Sequence, residues 1–112
     1  MNTMKKTIQE LTKTLTIKQS IGDLLVVVSG IEIDSRKIRE GALFIAISGV
    51  QSDGHLFITK AINAGAIAIV CEILPTDLVG GITYLVVANT QEAAALMATV
   101  FFNNPSAKLS LV

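Results

Sequence analysis

Two short polar segments carry the residue types that could do chemistry in this chain: Asp34-Ser35-Arg36 and the run from Ser48 to His55. Between them they hold hydroxyls, amides, carboxylates, a guanidinium, the glycines Gly49 and Gly54 and the only histidine of the chain. Groups of this kind hydrogen-bond a sugar, a base or a pyrophosphate. Each residue also has a plainer role. Asp34 suits the capping of turn amides, with Arg36 paired to a surface carboxylate, and Asp53 suits an N-cap or Asx turn. Gly49 and Gly54 serve backbone geometry as readily as phosphate contact. His55 stands beside a helix start with no nucleophile or carboxylate next to it, the setting of a structural histidine rather than a general base. Cys71 is the only cysteine and ends an apolar run. It reads as an inert buried thiol, with no disulfide and no cysteine cluster for a metal.

Absent motifs narrow the chemistry further. The sequence contains no GxxxxGK[ST] phosphate loop, no GxGxxG after a strand and no pair of carboxylates in a plausible cleft. It reads as a domain that binds rather than one that reacts.

The elements that must position these residues follow from hydrophobic patterning. Ile8, Leu11 and Leu15 have helical spacing, with Thr7 as N-cap. Ile21 to Val28 and Ile31 to Ile33 read as two strands parted by the Ser29-Gly30 turn. Leu43 to Ile47 is apolar on both faces, as a strand covered on two sides must be. Phe57, Ala61 and Ile62 fit a helix ended by Gly65, and Ala66 to Cys71 is the next buried strand. Pro75 to Gly81 is a loop and Thr83 to Val87 a strand. Asn89 and Glu92 have capping-box spacing ahead of a helix through Ala93, Leu96, Met97, Val100 and Phe101, a stripe expected in the core. Asn103-Asn104-Pro105 ends that helix, and Leu109 to Val112 begins a last strand. A chain stopping inside an apolar strand is expected to be an excised fragment.

This alternation predicts one α/β domain with a mostly parallel or mixed sheet flanked by helices, the N-terminal strands adding an antiparallel or mixed edge. In open α/β sheets ligands sit outside the carboxyl ends of the strands. That rule selects the same two polar segments.

Composition sets the outer bounds. Hydrophobic residues make up 51% and charged residues 16% of 112 residues, which excludes a disordered chain. Nine basic side chains balance nine acidic ones, so no electrostatic footprint for nucleic acid or an anionic membrane exists. Apolar runs such as Leu24–Val28 and Ala66–Cys71 fall far short of the roughly 18–20 residues that span a bilayer. Gln9, Glu10, Thr12 and Lys13 occupy the place of a signal peptide's apolar core, so a cytoplasmic protein is expected.

The run DSRKIREGALFIAISGVQSDGHLFITKAINAGAIAIVCE carries, in order, D-S-R, G-x-L-F-x-A, G-x-x-x-D-G-H and A-x-x-x-G-A. Together these motifs resemble the N-terminal domain of the Mur ligases, the ATP-dependent enzymes that build the peptide stem of bacterial peptidoglycan. Tyr84-Leu85-Val86-Val87 and Phe102-Asn103-Asn104-Pro105-Ser106, with the apolar end, resemble the member that adds the third stem residue. The resemblance implies that residues 1–112 are the UDP-substrate-binding domain, without the central ATP-binding and C-terminal domains. It implies that Ile33, Ser35, Val50, Gln51 and Ser52 contact the UDP end of UDP-MurNAc-L-Ala-D-Glu, with Arg36 ranked below Ser35. It also implies that ATP and Mg2+ serve the full-length enzyme and that neither is bound here. The other ligase domains are the implied partners in cis, with no nucleic acid or membrane. The third residue is meso-diaminopimelate or L-lysine, and this chain alone is expected to be inactive as a ligase. Two alternatives stay open: the N-terminal domain of the ligase that adds D-Ala-D-Ala, and a stand-alone ligand-sensing module of similar fold.

Overall fold

The computed structural model describes residues 6–48 and 54–102. Its centre is a five-stranded sheet ordered β2-β7-β6-β5-β4, formed by β2 (Gln19–Ile21), β4 (Ile31–Glu32), β5 (Leu43–Ile45), β6 (Ala68–Cys71) and β7 (Thr83–Val86). The strands β4, β5, β6 and β7 are parallel, whereas β2 lies antiparallel against β7. The mixed sheet with an antiparallel edge is therefore as the sequence predicts. Beside it, β1 (Lys6–Thr7) pairs antiparallel with β3 (Val27–Val28).

Both faces of the parallel strands are covered, which is why those strands read as unbroken apolar runs. Leu43, Ile45, Ala68, Val70 and Leu85 face one core together with Ile8 and Leu11 of α1 (Ile8–Leu11) and Met97 and Phe101 of α3 (Thr90–Phe102). Phe44, Ala46, Ile69, Cys71 and Tyr84 face the other core, closed by Ile58 and Ala61 of α2 (Ile58–Asn63).

Local signals explain the element ends. Thr7 Oγ1 accepts from the Glu10 amide at 3.1 Å while Glu10 Oε1 accepts from the Thr7 amide at 3.0 Å, a reciprocal cap on α1. That helix ends at Leu11, so Leu15 packs against the first core from outside it. Gly65, with φ +119°, ends α2, and a Cβ there would lie 2.8 Å from Glu40 Cα.

The structure departs from the sequence reading at two further places. Ile21 to Val28 is not one strand. Gly22 sits at φ +104°, Asp23 Oδ1 accepts from the Leu25 amide at 2.8 Å, and the chain turns from the main sheet to the β1–β3 pair. In α3, Leu96 is 36% exposed, and Ala94 and Ala98 are buried beside Met97 instead. The small residues let α3 lie close on the sheet. The expected strand at Leu109–Val112 and the stop at Asn103-Asn104-Pro105 lie outside the described residues.

Candidate functional site

Because β4 and β5 are parallel neighbours with Ile31 opposite Leu43 and Glu32 opposite Phe44, the chain leaves both strands at the same, carboxyl end of the sheet. Asp34-Ser35-Arg36 follows β4, and Ser48 follows β5. The strand ends at Glu32 because its own side chain intervenes. Glu32 Oε1 accepts from the amides of Ile33 and Asp34 at 3.0 and 3.2 Å. Residues Ser35–Lys37 then form a 3₁₀ turn capped by Asp34, whose Oδ1 accepts from the Arg36 amide at 2.9 Å.

Asp34 and Arg36 satisfy each other. Arg36 Nε and Nη2 donate to Asp34 Oδ1 and Oδ2 at 3.1 and 2.9 Å, a two-pronged pair. The Arg36 guanidinium, then the Arg36 amide, hold the Asp34 carboxyl at about 2. The carboxylate partner of Arg36 is thus the first residue of its own turn, and the plainer reading of these two residues is the one the geometry carries.

Ser35 is different. It is 7% exposed, and among the described residues nothing hydrogen-bonds its hydroxyl. No fully buried polar side-chain atom goes unpaired among those residues, so Oγ itself reaches solvent. A mostly buried side chain whose hydroxyl is unpaired and open to solvent suits a ligand contact. Ile33 is partly buried against the first core, and its amide is taken by Glu32. Val50, Gln51 and Ser52 lie outside the described residues.

Beside this turn the structure assembles a network around Glu72, the residue that follows β6. Glu72 Oε1 accepts from Ser48 Oγ at 3.1 Å. Glu72 Oε2 accepts from the Thr90 amide and from Thr90 Oγ1 at 2.9 and 3.0 Å. The Ser48 amide donates to Thr90 Oγ1 at 3.2 Å, and Gln91 Nε2 donates to the Ser48 carbonyl at 3.1 Å. The carboxyl ends of β5 and β6 are thereby tied to the first turn of α3. Donation from the Thr90 amide, followed by the hydroxyls of Thr90 and Ser48, holds the Glu72 carboxyl below its ordinary range against the opposing effect of burial.

This network has a consequence for anion binding. A helix N-terminus at the end of a parallel sheet is the usual seat of a phosphate. At α3 that seat is already filled by the Glu72 carboxylate, and Asn89 Oδ1 accepts from the Glu92 amide at 3.0 Å. The first turn is thus closed to a second anion. The open hydroxyl of Ser35 is on the other side of β5.

His55 serves this network and not a proton transfer. Its Nε2 accepts from the amides of Glu72 and Ile73 at 2.9 and 3.3 Å. A carboxylate residue does stand beside it, since the amide it accepts at 2.9 Å is that of Glu72. This corrects the expectation that no carboxylate accompanies it. Gly54 donates to the Ile47 carbonyl at 2.7 Å, and a Cβ on it would lie 2.6 Å from the Ile47 amide nitrogen. Backbone approach, not phosphate contact, is what Gly54 provides.

Cys71 is fully buried, and burial followed by the Glu72 charge raises its thiol to about 11. It is inert, as its place at a strand end suggests. A shallow groove of about 190 Å³ runs between Thr14–Thr16 and the first turns of α3, lined also by Val87, Asn89 and Leu96. Among the described residues no three His, Cys, Asp or Glu side chains come together to hold a metal. No helix among those residues is long and apolar enough to cross a membrane.

Sequence reasoning missed Glu72 and Thr90. Their only local signals are a lone carboxylate after an apolar strand and a hydroxyl at a helix start. The bonds that join them to each other and to Ser48 cross 18 to 42 residues.

Residues 27–100 match the family model described as the Mur ligase family, catalytic domain. The chain is 42% identical over 105 residues to a UDP-N-acetylmuramoyl-L-alanyl-D-glutamate--2,6-diaminopimelate ligase of Phocaeicola vulgatus, covering 94% of this chain and 22% of that protein. It is 46% identical over 91 residues to the ligase of the same name from Bacteroides fragilis, covering 81% and 19%. The chain spans about a fifth of the length of these curated relatives. Among solved structures, it superposes on a UDP-N-acetylmuramoylalanyl-D-glutamyl-2,6-diaminopimelate--D-alanyl-D-alanyl ligase of Acinetobacter baumannii with a TM-score of 0.70 at 25% identity, over 86% of this chain and 21% of that one.

Proposed function

As this chain belongs to the Mur ligase family, we propose that residues 1–112 form its N-terminal substrate domain and hold the UDP end of UDP-MurNAc-L-Ala-D-Glu. The carrying observation is the rim at the carboxyl ends of β4 and β5, where Ser35 presents an unpaired hydroxyl. In this reading Ser35 Oγ hydrogen-bonds the uridine diphosphate, and Ile33 contributes its carbonyl and apolar side chain. Val50, Gln51 and Ser52 contact the ligand from the segment that follows Ser48. Arg36 is engaged by Asp34 and stays secondary.

The relatives are named as ligases that add 2,6-diaminopimelate, which supports assigning that amino acid to the whole protein. The D-Ala-D-Ala-adding ligase is the second reading. It rests on the structural likeness and is disfavoured by the higher identity to the diaminopimelate ligases. The described residues offer no phosphate loop and no metal-ligand cluster. We assign ATP and Mg2+, which the family resemblance implies for the whole enzyme, to the part of the relatives' length that this chain does not span. The chain contributes binding and orientation, and by itself forms no amide. A cytoplasmic location accords with a nucleotide-linked substrate.

An amide chemical-shift titration with UDP, then with UDP-MurNAc-L-Ala-D-Glu, tests the assignment. Shifts should cluster at residues 33–35 and 50–52. Ser35→Ala should weaken UDP about five- to tenfold, the value of one hydrogen bond of about 1–1.4 kcal/mol. Its stability should stay within about 0.5 kcal/mol of the parent, because the hydroxyl has no internal partner to orphan. Absence of shifts at millimolar UDP overturns the reading.

A further inference from the structure

We propose that Lys37, not Arg36, supplies the positive charge that meets the diphosphate at the Ser35 rim. This inference deepens the substrate reading above and rests on it. Both cations belong to the 3₁₀ turn Ser35–Lys37 that follows β4, but only one of them is free. Arg36 Nε and Nη2 donate to the two carboxylate oxygens of Asp34 at 3.1 and 2.9 Å. Lys37 is exposed, and among the described residues its ammonium has neither an ion pair nor a hydrogen bond. Only its amide is engaged, donating to the Asp34 carbonyl at 2.9 Å.

The charges of the rim show why this one group matters. From Glu32 to Lys37 the chain carries two anions, Glu32 and Asp34, and two cations, Arg36 and Lys37. Asp34 and Arg36 cancel each other, and Glu32 is turned onto the amides of Ile33 and Asp34. Without Lys37 the rim would be net negative and would repel a diphosphate. No distant field compensates, because nine basic side chains balance nine acidic ones over the whole chain.

Lys37 also has the reach. It stands two residues from Ser35 in the same turn, within roughly 6 Å between Cα atoms, and a lysine's flexible four-carbon stem carries its ammonium over that distance. A lysine meets phosphate as a mobile point charge and not through a fixed fork. Its contribution should therefore follow the charge at position 37 and be screened by salt. Lys37 lies outside the D-S-R motif, which ends at Arg36.

The experiment is a UDP titration of the 112-residue chain and its variants, read by amide shifts, with thermal unfolding in parallel. It is run at about 0.1 M and about 1 M salt, where charges are screened over about 10 Å and about 3 Å. At the lower salt Lys37→Gln should weaken UDP about two- to fivefold and Lys37→Glu more, whereas Lys37→Arg should stay within about twofold of the parent. These differences should collapse at the higher salt. Lys18→Gln controls for net charge. Lys18 precedes β2 on the opposite edge of the sheet, about 19 Å from β4 at four strand spacings, and its loss should leave UDP unchanged. Since Lys37 has no internal partner, its variants should melt with the parent.

Parent affinity in Lys37→Gln overturns the inference while the Ser35 contact stands. So does a loss that persists at about 1 M salt, that Lys18→Gln matches, or that tracks a lowered melting temperature. Absence of UDP binding by the parent chain overturns the substrate reading and this inference together.

Discussion

A single methyl group on Gly54 should separate a packing constraint from a ligand contact. In Gly54→Ala the new Cβ would lie 2.6 Å from the Ile47 nitrogen, 2.9 Å from the Ala46 carbonyl carbon and 3.0 Å from Ala46 Cα. All three are backbone atoms where β5 leaves the sheet, so no side-chain rotation relieves the clash. Contact near 3.5 Å requires the chain to move by roughly 0.9 Å, and the bond from the Gly54 amide to the Ile47 carbonyl at 2.7 Å lies in the same contact. Overpacking costs about 1–3 kcal/mol and the weakened hydrogen bond about 1 kcal/mol. Restricting the unfolded chain returns about 0.4–1 kcal/mol. The net destabilisation is about 2 kcal/mol, or about 8 °C in melting temperature for a domain of this size.

Gly30→Ala is the internal control, since nothing lies within 4 Å of its added Cβ. It should be neutral or up to about 1 kcal/mol stabilising. Urea unfolding followed by circular dichroism measures both, and equal m-values would show that the denatured states are comparable. A Gly54→Ala stability within about 0.5 kcal/mol of Gly30→Ala would refute the argument that close backbone approach is what selects glycine there. Because the same clash displaces the stem next to His55, Gly54→Ala should also bind UDP more weakly, with Gly30→Ala unaffected.

Two further expectations concern titrating groups. Cys71 should resist thiol reagents until the chain unfolds, because burial raises its thiol from 9.0 to about 11. A raised value means that the stability of the neutral thiol is complete below pH 9 and lost as pH rises toward 11. The urea midpoint should fall over that range, and less so in Cys71→Ala. The Asp34 carboxyl should titrate near 2, and in Arg36→Ala it should move up toward 3.8 while staying below it, since the residue 36 amide still donates. A depressed value places the Asp34 contribution above its ordinary range, lost only as pH falls through about 2. As Arg36 is exposed, the melting temperature of Arg36→Ala at neutral pH should not change measurably.

The fold was legible where a single local rule decides. Ala68 to Cys71 is apolar at every position because both faces are buried. Thr7 and Gly65 mark helix ends because a cap depends on residues within one turn. The run Leu24 to Val28 misled for the converse reason. It has the composition of a strand, yet Gly22 at φ +104° and the Asp23 turn redirect the chain before it, and Leu25 is left 66% exposed. Two residues of backbone geometry outweighed five of propensity.

The site divides along the same line. Asp34 and Arg36 complete each other within one turn, so their part could be weighed from residue type alone. The importance of Ser35 lies in a missing partner, which no spacing reveals. Glu72 acquires its role only when β5, β6 and α3 meet, and its effect is to subtract a site: by filling the N-terminus of α3 it removes the seat where an α/β fold would otherwise take a phosphate. On the proposed reading the anion is thereby left to the β4 side of the rim, where Ser35 stands open. A variant that empties the α3 N-terminus, such as Glu72→Ala, uncovers a competing anion seat, so UDP should shift amides at residues 90–92 that the parent chain leaves unmoved.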